Sequence, residues 1–205
     1  MKQLKFVFLA MTLLFSQLLL ANESPVQMLD QTANQILDTL KQNKSTLKQN
    51  SRVIHQAVRQ YLLPIVDVQG MSRSVLGRQA WNKASSADRA DFTRAFTQLV
   101  IRTYATPLAE YTDESIKFLP QRTAATGQFT RVNSMIIRSK GPNIPLSYSL
   151  VSKNGQWKVY DLSVEGVSLL QSFRNQFSQA LENESVRELI VKMGQNSQSK
   201  SLSKG

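Results

Sequence analysis

Apolar side chains recur at three- and four-residue intervals through the first half of the chain, which places them on one face of a helix. The first such helix is predicted to begin at Ser24-Pro25, because Ser is a favoured N-cap and Pro is tolerated in the first turn. A second apolar stripe occupies residues 53–65. Pro64 is expected to disturb its last turn, since proline has no backbone N–H to donate.

Two further helices are predicted before the chain changes character. Asp67 can cap a short helix that ends near Gly77, where glycine suits the residue after a helix. The longest predicted helix covers 85–111, and Ser85 with Asp88 resembles a capping box at its start.

Beyond residue 111 the apolar period falls from about 3.6 to 2, which is typical of half-buried strands. The turn sequences KGPN (140–143) and KNGQ (153–156) separate neighbouring runs, so an antiparallel meander is expected. Helices are predicted again from 166 to about 193. The four predicted strands cover residues 115–120, 128–138, 144–152 and 156–164.

Helices, then a sheet, then helices, with short connections, define an α+β fold in which helices pack on a curved four-stranded antiparallel sheet.

The chain begins with the basic Lys2 and Lys5, an apolar run and the small residue Ala21. This order is typical of a secretory signal peptide, so we expect export with cleavage near Ala21. The expected division is a signal peptide at 1–21, a single domain at 22–194 and a disordered polar tail at 195–205.

Cysteine content and charge narrow the possible partners. The 205-residue chain has no cysteine, so it cannot use disulfides or thiol chemistry. Its formal net charge is +11, and loss of Lys2 and Lys5 with the signal peptide would leave +9. Such an excess would indicate nucleic acid binding in a cytosolic protein, but export disfavours that partner. Anionic lipid surfaces or acidic proteins fit better, and a basic surface that only aids solubility is the alternative.

The chain offers few candidates for catalysis. The single histidine, His55, lies at the edge of an apolar stripe, where a structural role is expected, and one His without Cys cannot build a His/Cys zinc site. Asp161 with Glu165, and Asp88 with Asp91, are carboxylate pairs of the type that glycoside hydrolysis uses. A simpler interpretation of the first pair is that it holds a strand-to-helix turn or pairs with a nearby cation. The negative charge of the second pair complements the partial positive charge of a helix N-terminus. We therefore expect no enzyme activity and no cofactor.

One predicted helical face contains an unexpected cation. If residues 166–181 are treated as one helix at 100° per residue, the apolar side chains gather in one arc and Arg174 falls inside it. The apolar members of that arc are Val167, Leu170, Phe173, Phe177 and Leu181.

Two long segments carry family motifs in the same order. In the first segment, 61–111, the matching residues are Leu63-Pro64, Asp67, Val75-Leu76-Gly77, Trp81, Ala84-Ser85, Phe92, Phe96, Leu99, Tyr104 and Tyr111. In the second, 157–177, they are Trp157, Tyr160-Asp161, Glu165-Gly166-Val167-Ser168, Arg174 and Phe177. These motifs resemble the MlaC family of periplasmic phospholipid-binding proteins, also known as toluene-tolerance or ABC-transporter auxiliary proteins. The resemblance covers roughly residues 24–193.

The resemblance implies a monomeric carrier with an apolar lipid cavity that takes the acyl chains of a phospholipid and leaves the head group near the surface. Such proteins ferry phospholipid between an outer-membrane lipoprotein–porin complex and an inner-membrane ABC transporter with an MCE domain, and so maintain outer-membrane lipid asymmetry. The basic charge and the Ser/Lys-rich tail are not part of the family motif. They leave the contacts with partners less certain than the lipid binding.

Candidate cavity residues are apolar positions on the faces that should converge, although each could instead be ordinary core. They are Leu76, Trp81, Phe96, Val100, Tyr104, Ile136, Tyr148, Trp157, Val164, Val167, Leu170 and Phe173. Arg174 is the head-group candidate, as a bidentate donor to the lipid phosphate. In the competing interpretation its stem packs on apolar neighbours while the guanidinium reaches solvent or pairs with Asp161 or Glu165.

Two other classes of function stay open. A periplasmic adaptor or chaperone could use the same cleft for apolar peptide segments, and it would contain peptide and no lipid. A secreted hydrolase on a similar scaffold would lose turnover when a carboxylate pair is changed.

Overall fold

The computed structural model describes residues 23–121 and 127–202, except for the side chains of Thr106 and of residues 196–202. The predicted signal peptide and its cleavage position near Ala21 lie outside the described residues. The helices are α1 (Pro25–Gln42), α2 (Ser51–Ala57), α3 (Val68–Leu76), α4 (Arg78–Lys83), α5 (Ser86–Ala109), α6 (Leu169–Ala180) and α7 (Val186–Leu202). The strands are β1 (Ser115–Phe118), β2 (Phe129–Ile137), β3 (Ile144–Lys153), β4 (Gln156–Val164) and β5 (Val167–Ser168).

The α+β prediction is confirmed, with one strand more than expected. The sheet has the order β1-β2-β3-β4-β5, and every neighbouring pair is antiparallel. The additional strand exists because Glu165 and Gly166, with φ of +51° and +84°, form a tight turn of the kind that joins two strands directly. Val167 then pairs with Val164, so it belongs to a strand and not to the following helix.

Local sequence signals fix the ends of the helices. Ser24 accepts a hydrogen bond from the Gln27 backbone N–H at 3.2 Å, and the Gln27 side chain accepts from the Ser24 backbone, so a full capping box opens α1. The Ser85 hydroxyl likewise accepts from the backbone N–H of Asp88 at 3.0 Å. Asp67 accepts from the backbone N–H of Gly70 at 3.1 Å and begins α3.

The second predicted helix is interrupted, as Pro64 suggested. After α2 the chain forms a π-helical segment, Val58–Leu62, and then a 3₁₀ turn, Leu63–Ile65. Val66 forms a bridge with Val159 of β4, so this short segment joins the helices to the sheet.

Besides β5, two elements differ from the sequence-based expectation. The short helix α4 was not predicted; it follows Gly77, whose φ of +81° lets the chain turn sharply out of α3. Helix α7 continues to Leu202, beyond the predicted helix end near residue 193, and the disorder of the tail from residue 195 stays a prediction. No proline or glycine follows Gly194 before Leu202, so nothing in the sequence stops the helix earlier.

The buried side chains fall into three groups. The helical cluster lies between α3, α5, α6 and α7 and consists of Val75, Leu76, Phe92, Phe96, Phe173, Phe177, Leu189 and Met193. The sheet cluster joins α1 to the inner face of the sheet and consists of Met28, Leu29, Val132, Leu150 and Val159. A third cluster, between α1, α2 and α5, consists of Leu40, Leu47, Ile54, Val58, Ile101 and Ala105.

Candidate functional site

A cavity of about 400 Å³ opens beside the helical cluster, between α5, α6 and α7. This volume is within the range of small-molecule sites, and the mixture of apolar walls with a few polar groups is typical of them. Its walls are formed by Leu99, Thr103, Tyr104, Ser172, Phe173, Gln176, Phe177, Ala180, Leu189, Lys192 and Met193.

Two of the phenylalanines, Phe173 and Phe177, line this cavity, and Phe92 and Phe96 pack behind them. Phe96 meets Phe173 edge to face, with ring centroids 5.3 Å apart, and Phe92 meets Phe177 in the same way at 5.7 Å. Edge-to-face pairs contribute beyond the burial of their area, because the positive ring edge faces the negative ring face. Phe92 and Phe96 are at most 2% exposed, so this side is anchored in the core.

The opposite side, helix α7, is held by polar contacts near the surface. Arg187 forms ion pairs with Asp88 at 2.6 Å and with Asp91 at 3.1 Å, both on α5. Farther along, Arg102 donates a hydrogen bond to the backbone carbonyl of Met193 at 2.9 Å. The Arg187 side chain is 59% exposed, so solvent weakens its two ion pairs.

Most of the predicted cavity residues gather at the helical cluster. Leu76, Phe96 and Phe173 are buried in it, and four others pack against it while partly buried. These four are Trp81, Val100, Tyr104 and Leu170. Of the seven, only Tyr104 and Phe173 border the 400 Å³ cavity itself.

The remaining predictions lie on the sheet. Tyr148 and Trp157 pack against the sheet cluster, and Ile136 and Val164 are half-buried on β2 and β4. Val167 has to be corrected, because it is 60% exposed on β5 and borders neither of the two concave regions described for the chain. Its place in a strand removes it from the apolar arc of α6.

Helix α7 supplies wall residues that were not among the sequence-based candidates. Leu189 and Met193 are buried, and Lys192 lies at the rim of the cavity. The four-residue spacing of Leu189 and Met193 was a usable helical signal. Nothing in the sequence indicated that α7 packs against α5.

Arg174 lines a second concave region, a basin of about 320 Å³ between α3, α4 and α6. The residues around this basic basin are Gly70, Arg73, Ser74, Gly77, Arg78 and Arg174. All three arginines are exposed, and none of them forms an ion pair within the described residues.

The pairing of Arg174 with Asp161 or Glu165 is therefore not found in the described part of the chain. Asp161 instead accepts hydrogen bonds from the Ser168 hydroxyl at 2.7 Å and from the Leu170 backbone N–H at 3.0 Å. The carboxylate fixes the turn from β4 into α6, which is the structural interpretation that the sequence favoured. Since Val167 is outside the helix, Arg174 lies at the edge of the apolar arc and not inside it.

Burial shifts the pKa of several groups near the apolar regions. It raises the pKa of the Tyr104 hydroxyl above its ordinary value, at which a tyrosine is already neutral at neutral pH. Burial also raises the pKa of Tyr148, partly opposed by a 3.4 Å hydrogen bond from the Ser134 hydroxyl. His55 has a lowered pKa because of burial and the nearby charges of Arg59 and Arg102.

Three of the four carboxylates considered for catalysis, Asp88, Asp91 and Asp161, have structural partners. Asp88 and Asp91 both bind Arg187, and Asp91 also pairs with Arg94 on its own helix. Within residues 23–121 and 127–202 no group of three or more His, Asp or Glu side chains could hold a metal ion. In those same ranges, no helix is long and apolar enough to cross a membrane.

Fold and site together define an α+β binding protein with an apolar cavity between helices. The structure matches that of a phospholipid-binding protein from Ralstonia solanacearum, solved in complex with a phospholipid. The TM-score is 0.76 and the sequence identity 26%, over 83% of this chain and 96% of the other. The sequence pattern of the MlaC protein family matches residues 30–195, so the chain belongs to the MlaC family.

Two relatives support the same assignment. The intermembrane phospholipid transport system binding protein MlaC of Haemophilus influenzae is 29% identical over 193 residues, which cover 92% of this chain and 89% of the relative. The toluene tolerance protein ttg2D of Pseudomonas putida is 28% identical over 168 residues, with coverage of 82% and 78%.

Proposed function

We propose that this protein is a periplasmic phospholipid carrier whose acyl-chain site is the cavity between α5, α6 and α7. The observation that carries the proposal is an apolar cavity, lined by Phe173 and Phe177, in a chain of the MlaC family. The solved relative that binds a phospholipid supports it further. Export is inferred from the signal-peptide pattern at 1–21, and the periplasm as the destination is inferred from the MlaC family.

A carrier is needed because a phospholipid cannot cross water alone. Two acyl chains contain about 30 methylenes, and each costs roughly 0.8 kcal/mol in water, or about 24 kcal/mol in total. Enclosure in an apolar cavity removes most of this cost. The same free energy opposes release, so unloading requires a partner that offers the lipid another apolar environment.

The proposal includes a widening of the cavity on loading, because two chains of about 30 methylenes occupy about 900 Å³ if each methylene needs the room of a water molecule, roughly 30 Å³. The phenylalanines are anchored in the core, and α7 is held there by Leu189 and Met193 as well as by the ion pairs of Arg187 nearer the surface. In this proposal, loading breaks these ion pairs and displaces α7 from α5 and α6.

The partners in this proposal are an outer-membrane lipoprotein–porin complex and an inner-membrane ABC transporter with an MCE domain. A docked partner would favour the open position of α7 by binding it better than the closed one. Transfer between these two partners would maintain the lipid asymmetry of the outer membrane. The protein itself needs no nucleotide for this step.

The proposal is tested by filling the cavity. Ala180 is a half-buried cavity residue, and Ala180→Phe would occupy space that an acyl chain needs. The protein is delipidated, incubated with vesicles of phosphatidylethanolamine and phosphatidylglycerol, and its bound lipid is counted by native mass spectrometry. We expect stoichiometric lipid in the unaltered protein and at least a ten-fold loss in Ala180→Phe.

Ala90→Phe is the matched control, because Ala90 is exposed on α5. Equal lipid loading by all three proteins would show that this cavity is not the acyl-chain site. Absence of lipid from the unaltered protein, with peptide bound instead, would favour an adaptor for apolar peptide segments.

A further inference from the structure

The basic basin between α3, α4 and α6 contains three arginines that have no polar partner within the described residues. Arg73, Arg78 and Arg174 form no ion pair and no side-chain hydrogen bond within the described residues. Other arginines of the chain do have such partners: Arg94 and Arg187 bind carboxylates, and Arg89 donates to the carbonyl of Trp81 at 2.7 Å. Arg52, Arg131 and Arg138 also lack ion pairs in the described residues, so the basin differs from the rest of the basic surface in that three such arginines border one concave region.

Local backbone geometry brings these charges together. The positive φ of Gly77 turns the chain between α3 and α4, so Arg73 and Arg78 border the same basin from two helices. Arg174 completes it from α6. Like charges around one concave region repel each other, and low-dielectric walls strengthen their field, so the arrangement favours an anion.

Nearby carboxylates do not neutralise the basin. Asp67 lies behind Gly70, but its carboxylate is engaged by the Gly70 backbone N–H and by Lys153 at 2.5 Å. Asp161 is engaged by Ser168 and Leu170. The positive charge of the basin therefore stays available to a ligand.

We infer that Arg73, Arg78 and Arg174 form a binding site for the phosphate group of a phospholipid. The planar guanidinium fork matches phosphate oxygens in bidentate geometry, and three forks around one concavity suit a single phosphate better than a flat surface does. Ser74, also at the basin, adds a hydroxyl that makes no hydrogen bond to another described residue. This inference rests on the carrier function proposed above.

The position of the basin connects it to lipid handling. On α6, Phe173 faces the helical cluster and the next residue, Arg174, faces the basin. On α3, Leu76 is buried in the same cluster, while Arg73 lies outside. The basin is thus the outer surface of the helix pair whose inner surface borders the apolar region. The phosphate can come from the carried lipid or from a bilayer against which the protein loads.

The test compares two triple variants of equal charge. Arg73→Gln, Arg78→Gln and Arg174→Gln are combined in the basin variant. The control combines Arg52→Gln, Arg131→Gln and Arg138→Gln, at exposed arginines outside the basin that also lack ion pairs in the described ranges. A third protein carries lysine at the three basin positions, which keeps the charge and removes the bidentate fork. Circular dichroism verifies that each variant is folded.

One arm measures the affinity for short-chain phosphatidylglycerol and for a diacylglycerol with the same chains and no phosphate. The other measures binding to phosphatidylglycerol vesicles and to uncharged, phosphate-free digalactosyldiacylglycerol vesicles. We expect the basin variant to lose at least about ten-fold in affinity for the phosphate-bearing probe of one arm, with no change for its phosphate-free match. The lysine variant should lose an intermediate amount of affinity, and the affinity of the control variant should change less than about three-fold.

A loss in the soluble-lipid arm would assign the basin to the carried lipid, and a loss in the vesicle arm would assign it to the bilayer. The inference is overturned if the basin variant and the control change equally in both arms. If the unaltered protein takes up neither soluble lipid, the carrier proposal fails, while the vesicle arm still decides whether the basin binds phosphate.

Discussion

Consecutive residues of α6 lie in opposite environments. Phe173 is 7% exposed, and its ring packs edge to face against Phe96. Arg174 is exposed and borders the basic basin. The cavity side of the helix is built by burial of apolar surface, whereas the basin side holds charges that nothing in the described chain neutralises. One face of α6 therefore stabilises the fold, whereas the charges on its other face would be stabilised only by a bound ligand.

The largest effect is expected on the cavity side. Phe177 is 5% exposed and contacts Phe92, Phe96 and Phe173. Phe177→Ala removes these contacts and leaves a cavity, so the free energy of unfolding should fall by about 3–5 kcal/mol. Urea unfolding followed by circular dichroism measures this change.

The control for this change is Phe129→Ala. Phe129 is 61% exposed, with one edge-to-face contact to Tyr160, so its loss should cost about 1 kcal/mol or less. If Phe177→Ala and Phe129→Ala lower the free energy of unfolding by similar amounts, the cavity side does not stabilise the fold more than the exposed surface does.

An intermediate effect is expected at the α7 wall. Arg187→Gln breaks the ion pairs with Asp88 and Asp91, which should lower the free energy of unfolding by about 1 kcal/mol or less, because the side chain is exposed. Lipid exchange between protein and vesicles should become faster, since the closed position of α7 loses stability. The exchange rate is measured with a fluorescent phospholipid.

Arg94→Gln is the matched variant, because Arg94 pairs with Asp91 inside α5 and does not bridge to α7. If both variants accelerate exchange to the same degree, α7 is not the moving wall.

The smallest effect on stability is expected on the basin side. Arg174→Gln removes one of three like charges, so the free energy of unfolding should change by no more than about 0.5 kcal/mol, and the change should be stabilising. The gain should decrease as salt is added, because salt screens the repulsion between exposed charges. If Arg174→Gln lowers the free energy of unfolding by more than about 2 kcal/mol, Arg174 has a structural role.

Prediction from sequence succeeded where a signal was local. The capping box at Ser24, the cap at Asp67 and the turn residues before β4 each act over a few residues, and the elements they bound were predicted correctly. The two-residue strand β5 was missed, because Val167 continues an apolar helical pattern even though its backbone pairs with β4. That error also placed Arg174 inside an apolar arc.

The candidate site was less predictable, because it depends on contacts distant in the chain. Leu76, Phe96 and Phe173 could be proposed as converging faces, and they do share one cluster. The contributions of Leu189 and Met193 required knowledge that α7 returns to α5. The basin required knowledge that α3 and α6 lie side by side, since Arg73 and Arg174 are 101 positions apart in the sequence.

The π-helical segment Val58–Leu62 has a consequence for insertions and deletions. It holds more residues per turn than an α-helix, so it has the form of a one-residue insertion within a helix. Val58 is buried in the third cluster, and a few residues later Asp67 donates its backbone N–H to the carbonyl of Val159 at 2.8 Å. Deleting one residue here would let the segment close as an ordinary α-helix, with the following residues near their present orientation, whereas a deletion within α2 would rotate them by about 100°. The segment can therefore lose one residue without changing the alignment between helices and sheet.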